Sequence, residues 1–205
     1  WKKHRWAVVP QGGGGAQMLI DDVDGDGDAD FITSLNAHGY GVAWFEQTQP
    51  GKFARHDIVG ERSTDSAFGV AFSQPHALGL ADMDGDGRMD FVTGKRYFAH
   101  KGRDPGGLQA AVLYWFRNTA TDGGIEFVPH VIDDDSGVGV EVKIADLNGD
   151  ERPDVITSSK KGLILHLQNA ASKDAAVSKW NHGKHLPQDQ YDSGLSPEEA
   201  LKRMT

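Results

Sequence analysis

The stretch DDVDGDGDAD, Asp21–Asp30, packs six aspartates and two glycines into ten residues. Three readings compete for it: a disordered acidic tract, a glycine-rich phosphate cradle, or the ligand loop of a hard cation. The stretch recurs. DMDGDGRMD spans Asp82–Asp90 and DLNGDERPD spans Asp146–Asp154. The first aspartates at 22, 82 and 146 give spacings of 60 and 64 residues, a self-similarity that marks arrays and propellers. Disordered tracts do not repeat in phase between apolar runs. A phosphate cradle opens a helix and offers N–H groups or lysine rather than carboxylates. The cation reading is the one left.

The flanks are strand-like. Val140, Val142 and Ile144 alternate with Glu141 and Lys143 before the third loop, and Phe31-Ile32, Phe91-Val92 and Val155-Ile156 follow the three loops. Such β-branched and aromatic runs bounded by Gly and Asp predict strands. Farther on come GVAWFEQ (41–47), VLYWFRN (112–118) and LILHLQN (163–169), then KFARHDI (52–58) and EFVPHVI (126–132). The N-terminal WKKHRW reads as a worn copy of the same unit. The expectation is an all-β chain of about three four-stranded units over residues 1–170. Residues 171–205 are read as a polar linker and the start of a following element. In that tail SPEEALKRM, Ser196–Met204, carries a capping-box signature for one short helix.

Oxygen ligands at loop positions 1, 3 and 5 converge when the chain turns tightly, and glycine at position 6 permits that turn. In the first loop these are Asp22, Asp24, Asp26 and Gly27; in the second, Asp82, Asp84, Asp86 and Gly87. Position 7 supplies a backbone carbonyl, from Asp28 or Arg88, and position 9 another carboxylate, Asp30 or Asp90. Carboxylates this close repel one another unless a cation lies between them. Ca²⁺ accepts six to eight oxygens in flexible geometry, whereas Mg²⁺ demands a stricter shell. An EF-hand needs a bidentate Glu at position 12, where these loops have Thr33, Thr93 and Thr157. The plainer alternative, an Asp-Gly hairpin turn needing no metal, is disfavoured by three phased copies.

The pattern D-x-D-x-D-G-x-x-D between strands, at about 60 residues per unit, resembles the FG-GAP/VCBS repeats of integrin-α-type β-propellers. That resemblance implies partial propeller blades whose loops bind Ca²⁺ between neighbouring strands. Two loops match fully and are expected to bind well. The third, with ligands Asp146, Asn148, Asp150, the Arg152 carbonyl and Asp154, is expected to bind more weakly, because Glu151 stands where the turn favours glycine. Three blades do not close a ring, since propellers have four to eight. With a chain that starts at Trp1, the expectation is a fragment of a longer secreted or periplasmic protein. Its partners would be the remaining blades or adjacent domains, and a glycan or protein ligand. The tail resembles the entry to a further domain.

Composition bounds the function. A net charge of -9 disfavours nucleic acid and anionic membrane surfaces. No apolar run approaches the roughly 20 residues of a membrane helix, and with no cysteine disulfides and thiolate chemistry are excluded. Zinc-protease, nucleophile-elbow and Walker-type motifs are absent from the sequence. A non-enzymatic binding module is therefore the first reading. The rival is the propeller portion of a secreted carbohydrate-active enzyme, lyase- or dehydrogenase-associated, with catalysis elsewhere. For ligand binding the sequence points to GKRYFAHKGRDPGG, Gly94–Gly107, a long connection concentrating Lys95, Arg96, Tyr97, His100 and Arg103, with His76 nearby on an inner strand. An anionic sugar or a carboxylate is the ligand expected there. The plainer reading is a solvated charged loop. Trp44, Tyr114 and Trp115 recur at one strand phase, which favours blade packing over a sugar platform. His182 and His185 in HGKH are read as linker residues able to chelate metal adventitiously.

Overall fold

The computed structural model describes residues 1–3 and 14–169. Those residues form eleven strands in three antiparallel sheets, with no α-helix among them. The first sheet runs β1 (Met18–Asp21), β2 (Asp30–Ser34), β3 (Val42–Gln49) and β4 (Lys52–Val59), neighbours in space in that order. The second repeats the order with β5 (Pro75–Ala81), β6 (Asp90–Lys95), β7 (Leu113–Thr121) and β8 (Gly124–Asp133). The third holds β9 (Val142–Ala145), β10 (Asp154–Ser159) and β11 (Gly162–His166). Its expected fourth strand would follow residue 169. That strand, the 171–205 segment with its capping box, and most of WKKHRW lie outside the described residues.

The innermost strands β1, β5 and β9 lie against one another, so the sheets fan out as blades of a partial β-propeller. Gln17 ties the three at the centre: its Oε1 accepts from Leu78 N at 2.8 Å, and its Nε2 donates to the Val140 carbonyl at 3.1 Å. Gly79 on β5 lets β9 come close, since a Cβ there would stand 2.9 Å from Ile144 Cδ1.

Pleating sorts each blade's side chains onto two faces. Ile32 and Trp44, paired across β2 and β3, join a core with Phe91, Phe116 and Phe127 of the second blade. Val92 and Trp115 of the second blade meet Val142, Ile144 and Val155 of the third. Each blade thus presents one face to its predecessor and the other to its successor. The aromatic triplet Phe91, Phe116, Phe127 has a counterpart in Phe31, Phe45, Phe53, which forms a separate cluster on the opposite face of the first blade. Trp44 and Trp115 each stack on a cross-strand histidine, His56 or His130, at 4.4 Å. The tryptophans are blade-packing residues; Trp44 is only 5% exposed.

Register corrects one detail of the repeat. Phe31 pairs with Phe45, Phe91 with Phe116 and Val155 with His166. Trp44 and Trp115 therefore correspond to Leu165, and the third copy of the motif runs 162–168, one residue earlier than the sequence reading placed it.

Candidate metal centres

The three acidic loops join the first and second strand of each blade and share one backbone solution. Asp22 Oδ1 accepts Gly25 N at 2.9 Å and its Oδ2 accepts Gly27 N at 3.1 Å. Asp24 then accepts Asp26 N, and Asp26 accepts Asp28 N. The second loop repeats this with Asp82 on Gly85 and Gly87, Asp84 on Asp86 N, and Asp86 on Arg88 N. The third does so with Asp146 on Gly149 and Glu151, Asn148 on Asp150 N, and Asp150 on Arg152 N. Position 6 is left-handed in all three, φ 94° at Gly27, 88° at Gly87 and 65° at Glu151. The backbone bonds that Asp146 accepts hold its carboxyl below the usual range.

This folding gathers oxygen ligands. Carboxylate oxygens of Asp22, Asp24 and Asp26 lie within 4.8 Å of one another, as do those of Asp82, Asp84 and Asp86. The charge around the loops differs. Burial raises the pKa of Asp24, and neighbouring Asp26, Asp30 and Glu46 push it the same way. At the strand position of Glu46 the second blade carries Arg117, whose Nε is 2.7 Å from Asp84 Oδ2 and whose Nη2 donates to Asp86 Oδ2 at 3.1 Å. The Nε points off the line to Asp84, so that contact is an ion pair rather than a hydrogen bond. In the third loop Arg152 pairs with Asp150.

The position-9 aspartates fall outside these 4.8 Å groups but lie close enough to interact with them, Asp30 with Asp24 and Asp90 with Asp84. Asp30, Asp90 and Asp154 are buried. Each accepts a backbone N–H from the third strand or its continuation: Gln47 at 2.7 Å, Asn118 at 2.8 Å and Gln168 at 2.8 Å. Their second oxygens accept Trp44 Nε1, Met83 N and Leu147 N respectively. Trp115 approaches Asp90 without completing the bond that Trp44 makes to Asp30. Burial pushes the Asp90 carboxyl up to about 6. The same third-strand residues also reach backward between blades. Asn118 Nδ2 donates to the Val23 carbonyl of the first loop at 2.9 Å, and Gln168 Nε2 donates to the Met83 carbonyl of the second at 2.8 Å. Position 9 and position 2 of adjacent loops are thereby coupled through one residue, by its backbone N–H and its side-chain amide. The sequence reading missed this, and its only signal is an amide side chain at 47, 118 and 168.

The basic connection lies at the opposite end of the sheets, because it joins the second and third strands. Lys95 is fully buried; its Nζ donates to the carbonyls of Arg96 and Gly107. Burial drops its pKa to about 8, so it braces the connection and presents no ammonium to solvent. Arg96 N bonds Gln74 O, and Tyr97 N bonds Val138 O in the approach to the third blade. Lys160 donates to the Phe98 carbonyl, and Lys161 sits over the Tyr97 ring. Arg103 is exposed. His100 is exposed and turns to Asp104, its Nδ1 at 2.8 Å from Oδ2, while His38 of the first blade brings its Nδ1 to 3.2 Å from the same oxygen. His76 lies edge-on to His38 with ring centroids 5.5 Å apart, and burial followed by Arg96 lowers its pKa. After Asp133 ends β8 the chain bends; Asp135 pairs with Lys161, while Val138 N–H donates to the Lys95 carbonyl of the basic connection at 2.9 Å.

Stacked antiparallel blades, each opening on a hairpin with an aspartate-rich turn, define a β-propeller-like repeat protein. Residues 22–93, which hold the first two loops, match the FG-GAP-like repeat. A search of curated proteins found no significant match.

Proposed function

We propose that this chain is a Ca²⁺-binding, non-enzymatic propeller module that offers its basic end to a glycan or protein ligand in the extracytoplasmic space. The observation that carries the reading is the convergence of three carboxylates in each of the first two loops, folded alike. The donors fit the ion: all are oxygens, and Ca²⁺ selects oxygen. Asp22, Asp24 and Asp26, with the Asp28 carbonyl and Asp30, would hold the first ion. Asp82, Asp84 and Asp86, with the Arg88 carbonyl and Asp90, would hold the second. Bound Ca²⁺ would offset much of each cluster's negative charge and cross-link its turn. The first site should be the stronger, because Arg117 already sits on the second cluster and Arg152 on the third.

The test is calorimetric titration of the chelator-stripped chain with Ca²⁺, followed by thermal melts. At a hundred times Kd each occupied site adds about 2.7 kcal/mol of stability. Asp24→Asn should abolish the tightest phase, and Arg117→Leu should strengthen the second. A flat titration with an unmoved Tm would end the calcium reading. The enzyme-associated alternative draws on the histidines beside Arg96 at the basic end; turnover of an acidic polysaccharide that is lost in His100→Ala would favour it, and binding without turnover would favour the module.

A further inference from the structure

The clustering of His38, His100 and Asp104 brings two blades together at the end opposite the acidic loops. His38 comes from the β2–β3 turn, and His100 and Asp104 come from the long β6–β7 connection. One ring nitrogen of each histidine and a carboxylate oxygen of Asp104 lie within 4.8 Å of one another, and the rings stack with centroids 4.8 Å apart. We infer that His38, His100 and Asp104 form a site for a borderline first-row divalent cation of the Zn²⁺ type, distinct from the calcium loops.

Donor chemistry sets the class. Two nitrogens and one oxygen suit zinc-type ions and do not suit Ca²⁺. Zinc bonds of about 2.0–2.2 Å in tetrahedral array separate the ligand atoms by roughly 3.3–3.6 Å, so the contacts of 3.2 Å and 2.8 Å need widen by only a few tenths of an ångström to admit an ion. Ion pairing alone is a weak reason for the arrangement. Exposed ion pairs contribute little, while Phe98, His100 and Lys101 all hold left-handed backbone, φ 44°, 47° and 61°, a conformation disfavoured for non-glycine residues. A third histidine adjoins the cluster: His76 Nδ1 is buried and meets no hydrogen-bond partner among the described residues. Arg96 faces His76 and would repel a cation drawn toward it. The site is therefore three-ligand, with open positions left for water or a ligand oxygen, and Arg96 nearby to favour a carboxylate.

The test uses the full, untagged 205-residue chain in saturating Ca²⁺, which occupies the acidic loops. Titration with Zn²⁺ should show one equivalent bound and a raised Tm. Co²⁺ in its place should give the strong visible bands of a four-coordinate site. His38→Ala with His100→Ala should remove both signals, and Asp104→Asn should weaken binding at least about tenfold. His182→Gln with His185→Gln should leave them intact, as should Asp24→Asn with Asp84→Asn, which separates this site from the calcium reading. If the alanine pair fails to fold, the Co²⁺ spectrum of the unsubstituted chain decides. Absence of Zn²⁺ uptake, a weak six-coordinate Co²⁺ spectrum, or uptake that survives the alanine pair and is lost with His182 and His185 would overturn the inference.

Discussion

Glu151 shows how far the loop geometry overrules residue preference. It takes φ 65° where the other two loops use glycine, and its N–H still reaches Asp146 Oδ2. A non-glycine residue there costs about 1–2 kcal/mol, partly offset by the lower entropy of the unfolded chain. Glu151→Gly should stabilise the chain by about 0.5–1 kcal/mol in urea melts; an unchanged midpoint would mean the side chain earns its place through contacts. Lys95 makes a second residue-scale case. Burial holds its pKa near 8, below the ordinary 10.5. The unfolded chain therefore binds more protons between those values, and stability rises as pH climbs from about 8 to 10.5. Over that window the gain is of order 3 kcal/mol. Lys95→Met should flatten this part of the pH–stability curve relative to the unsubstituted chain, whatever the tyrosines and other lysines add to both.

At the scale of the strand and loop, Asn118 joins three parts: its N–H serves Asp90, and its amide serves the Val23 carbonyl of the preceding loop. Asn118→Ala strands a buried carbonyl, at a cost of about 1–3 kcal/mol. The matching Gln47 bonds only within its own blade among the described residues, its Nε2 to Ala29 O at 3.4 Å and its Oε1 accepting Gly51 N–H at 2.8 Å in an exposed turn, so Gln47→Ala should cost less in the same melts. Equal losses would show that the coupling contributes nothing. The strands and acidic loops were legible because period-two alternation and fixed Asp-Gly spacing are local signals. The third copy slipped by one residue because Leu163, Leu165 and Leu167 alternate around His166 without an aromatic anchor, so pattern alone leaves the register weakly fixed. Lys95 looked like a surface cation because sequence does not show that the connection folds back over it. Asp104 went unremarked because only the approach of the neighbouring blade's His38 gives it a role. The inter-blade amides were hidden for the same reason, since their partners lie 95 and 85 residues away.

On the scale of the whole molecule, the two ends of the described stack are apolar. Met18, Ile20 and Phe53 flank a groove on the first blade, where Ile20 is 66% exposed; Leu163, Leu165 and Leu167 line the last blade, where Leu163 is 76% exposed. These faces match those used between the blades, so further blades are the expected occupants. The described stack should bind an apolar dye and self-associate with concentration, and Ile20→Lys with Leu163→Lys should suppress both. A monomer at high concentration that excludes dye would show the faces to be covered. The backward-reaching amides give the stack a direction. Asn118 and Gln168 both donate toward the preceding blade, so each interface joins two unlike faces. Copies joined through these surfaces cannot be related by a two-fold axis. They add head to tail, and the turn per blade alone decides whether the product is a closed ring or an open-ended filament.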